Sequence, residues 1–298
     1  LEPRAGFEPA TLALPTAQNE LETSFWEDFE CFLLENYTNK TAKERYKYAL
    51  KFHQCLLRND MSPLKLLSAS KKAKAMKALS SLSKYLGIYE RFRTLVRNYG
   101  LKWNDRSTDD LIIARLIRNQ DPNKLYGWIV RVKQTFPQFR AFMDFAVSVG
   151  LRFGETLHAY NLIIELDRKG ELNRYYNAEN EILEHFRFKN LFLRRTKKAF
   201  ISFVSREMVE TVARTQNTLT YDTITKRLKR RGFKMRFSDL RELWASFMVK
   251  HLAQPEIDFL QGRISASVFM LNYFNPTWIS DLKERTLKGV EELLNVLS

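Results

Sequence analysis

The sequence predicts a mainly α fold with a small antiparallel sheet (α+β). Apolar residues recur at three- and four-residue spacing through most of the chain, as buried helix faces require. Short β-prone runs are confined to the region around residues 191–204. With 298 residues, 45% of them hydrophobic, the chain suits one large domain or two modest ones with cores of their own.

Residues 1–20 hold three of the eight prolines and no apolar periodicity, the pattern of a flexible arm. From Leu21 to Lys124 the reading is helical. Phe25, Trp26, Phe29, Phe32 and Leu33 share one helix face. Thr41 is the expected N-cap of a helix over Ala42–Leu57, with Glu44 completing a capping box. Cys31 and Cys55 form no CxxC pair and are expected on apolar helix faces. The polar turn Asn119–Asn123 contains Pro122 and marks a linker, giving an arm over 1–20, a helical domain over 21–124 and a second domain over 125–298. Pro137–Val149 reads as a buried helix. Leu191–Leu193 and Ala199–Val204 read as strands of a hairpin with Arg194–Lys198 between them. The tail, Trp278–Leu297, reads as an amphipathic helix that packs on its own domain or on a neighbouring copy.

Lysine and arginine total 49 against 34 acids, a net charge of +15 shared by both halves. An anionic polymer or surface is the natural partner, and charge alone does not separate DNA from RNA or an anionic membrane. Between Lys65 and Arg97 the only acid is Glu90, which makes Lys71, Lys72, Lys74 and Lys77 candidate phosphate contacts. A second basic run, Lys226–Arg236, contributes Arg227, Arg230, Arg231 and Lys234. No stretch approaches the roughly 18 apolar residues of a membrane span and no signal peptide is evident, so a cytoplasmic protein is expected. Neither the two cysteines nor the four histidines are spaced as a metal site, and no cofactor is expected.

Four short motifs follow one another along the second domain: Gly150-Leu151-Arg152, Arg195-Thr196-Lys197-Lys198, Ser238-Asp239-Leu240-Arg241 and Gln261-Gly262-Arg263. Tyr273 comes ten residues after the last of them. These residue types suit phosphodiester chemistry. Tyrosine attacks phosphorus covalently and conserves the bond for rejoining. Arginine holds two non-bridging oxygens and keeps its charge, and lysine can protonate a departing oxygen. The ordered set resembles the tyrosine recombinase (phage integrase) family, above all the integrases of archaeal plasmids and viruses, over about residues 125–275.

That resemblance implies a helical core-binding domain followed by a catalytic domain. It implies Tyr273 as nucleophile, with Arg152, Arg241 and Arg263 on the phosphate. Lys197 is the implied general acid, with Lys198 as the competitor, since a slip of one residue turns a side chain to the other face of a strand. Ser238 stands where most bacterial relatives carry histidine; it can hydrogen-bond the phosphate but cannot act as a base. The resemblance also implies double-stranded DNA as partner, a homo-oligomer (a tetramer) on that DNA, and a 3′-phosphotyrosine intermediate formed without metal or ATP. Gly6-Phe7-Glu8-Pro9 has an encoding that contains GTTCGAACC, the T-arm sequence of tRNA genes. Archaeal integrases of this kind often carry their attachment site within the gene, so a tRNA gene is the expected target. A type IB topoisomerase-like enzyme and a catalytically inactive, integrase-derived DNA-binding protein remain the alternatives.

Overall fold

The computed structural model describes residues 23–103, 108–117, 121–194, 197–263, 275 and 279–297. The arm predicted over 1–20 lies outside them. The fold is mainly helical with small antiparallel sheets, and the chain divides into two compact units, Leu1–Asn119 and Gln120–Ser298.

Among the described residues the first unit contains α1 (Thr23–Asn36), α2 (Asn39–Phe52), the short α3 (Gln54–Leu57) and α4 (Ser62–Lys65), α5 (Ala69–Tyr85), α6 (Tyr89–Asn98) and α7 (Thr108–Ile117). Trp26, Phe29 and Leu33 bury the predicted face of α1. Ala42 and Ala49 of α2 meet Ala75 and Ala78 of α5 in the same core. Small side chains there let the two helix axes approach closely. Two local expectations are corrected. The helix predicted from Ala42 begins at Asn39 and ends at Phe52. Thr41 lies within its first turn, accepting a 3.0 Å hydrogen bond from the Thr38 hydroxyl. Glu44 does not complete a capping box but turns to Lys74 on α5; a cross-helix charge outcompetes a local cap. Cys55 is buried as expected, whereas Cys31 is exposed, because α1 buries Trp26, Phe29 and Leu33 on another side.

The second unit is built around α9 (Arg140–Val149), which packs against α8 (Pro122–Thr135), α10 (Phe153–Asp167), α12 (Arg206–Arg214), α14 (Phe237–Met248) and α16 (Leu282–Val296). Phe142, Phe145, Val147 and Val149 of α9 are buried, as the apolar run predicts. The Asp121 carboxylate caps α8 by accepting from the Asn123 N–H at 2.9 Å, and Pro122 occupies a first-turn position that needs no donor. Strands β1 (Tyr176–Asn177) and β2 (Ile182–Leu183) pair antiparallel. The hairpin β3 (Leu193–Arg194) and β4 (Lys197–Lys198) follows the short α11 (Lys189–Phe192), and β5 (Ser202–Phe203) joins β2. This revises the expected hairpin. Pairing extends from Leu193 into the basic run, Leu193 opposite Lys198 and Arg194 opposite Lys197, while Ile182 and Leu183 take up Phe203 and Ser202. Burial sets the register: Phe192 and Ala199, both with no exposure, close the hairpin through an Ala199 N–H to Phe192 carbonyl bond of 3.1 Å. The elements α13 (Tyr221–Arg230) and α15 (Gln254–Leu260) complete the unit. The tail helix α16 packs on its own unit, burying Leu282, Val290 and Leu293. No helix among the described residues is long and apolar enough to cross a membrane.

Candidate active site

Helix α9 stops at Gly150, whose φ of 57° lies in the left-handed region. A side chain is excluded there twice over, because a Cβ would also lie 2.4 Å from the Trp244 ring. The turn delivers Arg152 in extended conformation to the start of α10. Its main-chain N–H donates to Glu155 Oε2 at 3.2 Å, and its guanidinium Nη1 donates to Oε1 at 3.0 Å. Glu155 is fully buried, while the Arg152 side chain keeps 27% exposure. A desolvated carboxylate thus fixes a guanidinium that still faces outward.

Arg241 projects from α14. Its Nη2 donates to the Gln261 carbonyl at 2.7 Å, and its Nη1 is buried without a hydrogen-bond partner among the described residues. Burial, followed by the charges of Arg152 and Arg263, lowers its pKa from 12.5 to about 10, with Glu155 and Asp258 opposing the shift. Arg152 and Arg263 therefore both lie close enough to Arg241 to repel its charge. An unpaired buried donor and a cluster of like charge both call for an anion, and either costs folding free energy without one.

Arg263 follows α15 through Gly262, with φ 61°. A Cβ on Gly262 would sit 1.4 Å from the Lys198 carbonyl oxygen. Glycine is what lets the Arg263 turn lie directly on β4, so the lysine hairpin and the arginine turn form one assembly. The Arg263 N–H donates to the Asp258 carbonyl at 2.7 Å, and its side chain is exposed. The Lys198 side chain is exposed, and the Lys197 side chain lies outside the described residues, as does Tyr273. Ser238, one turn before Arg241, is exposed and donates to Asp239 Oδ1 at 3.2 Å. The other oxygen of Asp239 accepts from Arg236 Nε at 2.8 Å.

The candidate phosphate contacts fall in two places. Lys71, Lys72, Lys74 and Lys77 lie on α5, and Lys74 is engaged by Glu44. Arg227 and Arg230 lie on α13, whose opposite face buries Ile224 and Leu228, and Arg231 and Lys234 follow it; all four are exposed. Among the described residues no three His, Cys, Asp or Glu side chains gather as a metal site would need. His185, one of the four histidines, is a core residue, bonded to Tyr175 and Ser202.

Sequence reasoning gave no role to three features. Gln261 is fully buried and ties the Gly150 and Arg241 backbones together. Trp244 supports the Gly150 turn and donates to the Ser148 carbonyl at 3.0 Å. Arg285 of α16 joins Glu256 and Asp281 in an ionic cluster. Only the first carries a local signal, an amide where the apolar helix pattern calls for a hydrophobe.

Residues 131–286 match the archaeal phage integrase family. The match takes in both flanks of the arginine cluster, the lysine hairpin and Tyr273. No curated protein and no solved structure matches the chain. The family match covers more than half of the sequence and contains every element that assembles the site. The chain therefore belongs to the archaeal phage integrase family, as a recombinase-type enzyme of DNA integration.

Proposed function

We propose that this integrase cuts and rejoins double-stranded DNA through a 3′-phosphotyrosine at Tyr273. Arg152, Arg241 and Arg263 hold the non-bridging oxygens of the scissile phosphate, and Ser238 adds a hydrogen bond. Lys197 protonates the departing 5′ oxygen, with Lys198 as the competing residue. The observation that carries this reading is Arg241: half-buried, crowded by two other arginines and with its buried Nη1 unpaired among the described residues. That arrangement suits a phosphorane, whose extra negative charge would relieve the repulsion. Positive charge supplied by side chains makes the reaction independent of metal and ATP. The helical first unit is the core-binding half, and α5 and α13 contact phosphates beside the cut. The target is a tRNA gene in an archaeal chromosome, acted on by a tetramer assembled on the DNA.

The test is covalent capture. In excess EDTA and without ATP, the wild-type protein should form an adduct with plasmid bearing a tRNA-gene 3′ end, and recombinants should appear. Tyr273→Phe removes one hydroxyl and should abolish the adduct while DNA affinity changes little. An adduct that persists in the variant overturns the nucleophile, and one that needs a divalent ion overturns the metal-free mechanism.

A further inference from the structure

We infer that Gln261 is a positioning residue that sets Arg152 and Arg241 at a fixed separation for the phosphate. The inference rests on the reading of those two arginines as the phosphate-holding pair. Gln261 lies just after α15 and has no exposure. Its Nε2 donates to the Gly150 carbonyl at 3.2 Å and to the Arg241 carbonyl at 2.9 Å. Its own carbonyl accepts from Arg241 Nη2 at 2.7 Å. The side chain thus grips the backbone two positions before Arg152 and the backbone of Arg241, while the main-chain carbonyl of the same residue receives the Arg241 guanidinium. The next residue, Gly262, rests on the Lys198 carbonyl, so the same turn also locates the hairpin.

The chemistry of the amide makes the grip directional. Both side-chain partners are carbonyls, so the NH2 end must face them. The Oε1 end is then turned away; it is buried and has no partner among the described residues. Such a buried acceptor without a donor costs stability, and a buried leucine or methionine would avoid it. An amide retained against that penalty has value in where it holds its neighbours. Loss of the cross-link frees the Gly150 turn and α14 to shift relative to each other. A misplacement of about 1 Å at reacting groups can cost roughly a hundredfold in rate.

The experiment uses the full chain with Gln261→Met, which keeps length and removes the amide. Arg241 labelling by phenylglyoxal, followed by mass spectrometry without DNA, should become several-fold faster, because without the amide the Gln261 turn and α14 separate and the main-chain carbonyl that accepts from Arg241 Nη2 is no longer held in place. Single-turnover adduct formation should fall by about tenfold or more on a phosphodiester. It should fall far less on a duplex with a neutral methylphosphonate at the cut position, where less charge has to be matched. DNA affinity should change little, and the melting temperature should fall only modestly, from the carbonyls of Gly150 and Arg241 that lose the amide donor. Unchanged Arg241 labelling overturns the proposal, as do equal losses on the two substrates, which would indicate general loosening. If the wild-type protein forms no adduct, the phosphotyrosine reading fails instead, and the labelling arm still decides whether Gln261 holds Arg241.

Discussion

Imidazole in water titrates near 6.5, yet burial lowers His185 to about 3. Its Nδ1 lies 2.7 Å from the Tyr175 hydroxyl and its Nε2 lies 2.9 Å from Ser202 Oγ. A neutral ring has one donor and one acceptor, and two hydroxyls satisfy both. Protonation would put an uncompensated charge in the core. Between pH 6.5 and 3 the unfolded chain binds a proton that the folded chain refuses. The stability contributed by this site is therefore complete above pH 6.5 and is lost as pH falls toward 3, at up to about 1.4 kcal/mol per pH unit. His185→Gln retains a donor and an acceptor but does not titrate. Urea unfolding at pH 7 and pH 5 should show a steeper loss in the wild type than in the variant. Equal losses would mean that the buried ring is not the group responsible. The same contrast shows what single residues reveal in a sequence. Arg152, Arg241 and Arg263 stood out because glycine or a short polar motif flanks each one. His185 gave no such signal, since its partners lie 10 and 17 residues away and meet it only through the sheet.

At the scale of elements, periodicity located most helices, and contacts between elements decided what periodicity left open. The start of α2 moved because Glu44 found Lys74 on another helix, and β4 took its place because Ala199 needed burial. A cross-element tie with several charged partners is centred on Arg285. Its Nη2 donates to Glu256 Oε1 at 2.7 Å and its Nε donates to Asp281 Oδ2 at 2.9 Å, while Nη1 reaches the His251 carbonyl at 2.9 Å. Glu256 also accepts from the Ala253 N–H at 2.7 Å, capping α15. One guanidinium therefore joins the end of α14, the start of α15 and the start of α16. None of these partners is close in sequence except Asp281, which is why the cluster was invisible there. Arg285→Met should leave the nearly buried Glu256 carboxylate unpaired, at a cost of about 3–5 kcal/mol. Thermal melting of the variant checks this. Glu256 is held below its ordinary 4.5, chiefly by Arg285, so the wild-type advantage should be full above that pH and shrink as pH falls below it. A variant as stable as the wild type at pH 7 would show that α16 is held by Leu282, Val290 and Leu293 alone.

For the molecule as a whole, a net charge of +15 predicts DNA affinity dominated by counterion release, but not every lysine contributes alike. A side chain that neutralises a phosphate steepens the dependence of log K on log salt by about 0.9. Arg227, Arg230, Arg231 and Lys234 are exposed and have no ion pair among the described residues. Replacing all four with glutamine should make the slope shallower by roughly 3–4 and weaken binding to all sequences alike. On α5 the expectation differs from one lysine to the next. Lys74 is already paired with Glu44, so contacting a phosphate requires giving up that partner, and its gain is smaller. Lys71 and Lys77 are exposed. Lys77→Gln should therefore lower the slope more than Lys74→Gln, and Glu44→Gln should raise affinity by releasing Lys74. Fluorescence anisotropy across a salt series on one duplex measures all of these. If Lys74→Gln and Lys77→Gln lower the slope equally and Glu44→Gln has no effect, the pairing does not persist on DNA. If neither lysine matters, the face of α5 that carries them is a solvated surface and the basic contacts are confined to the second unit.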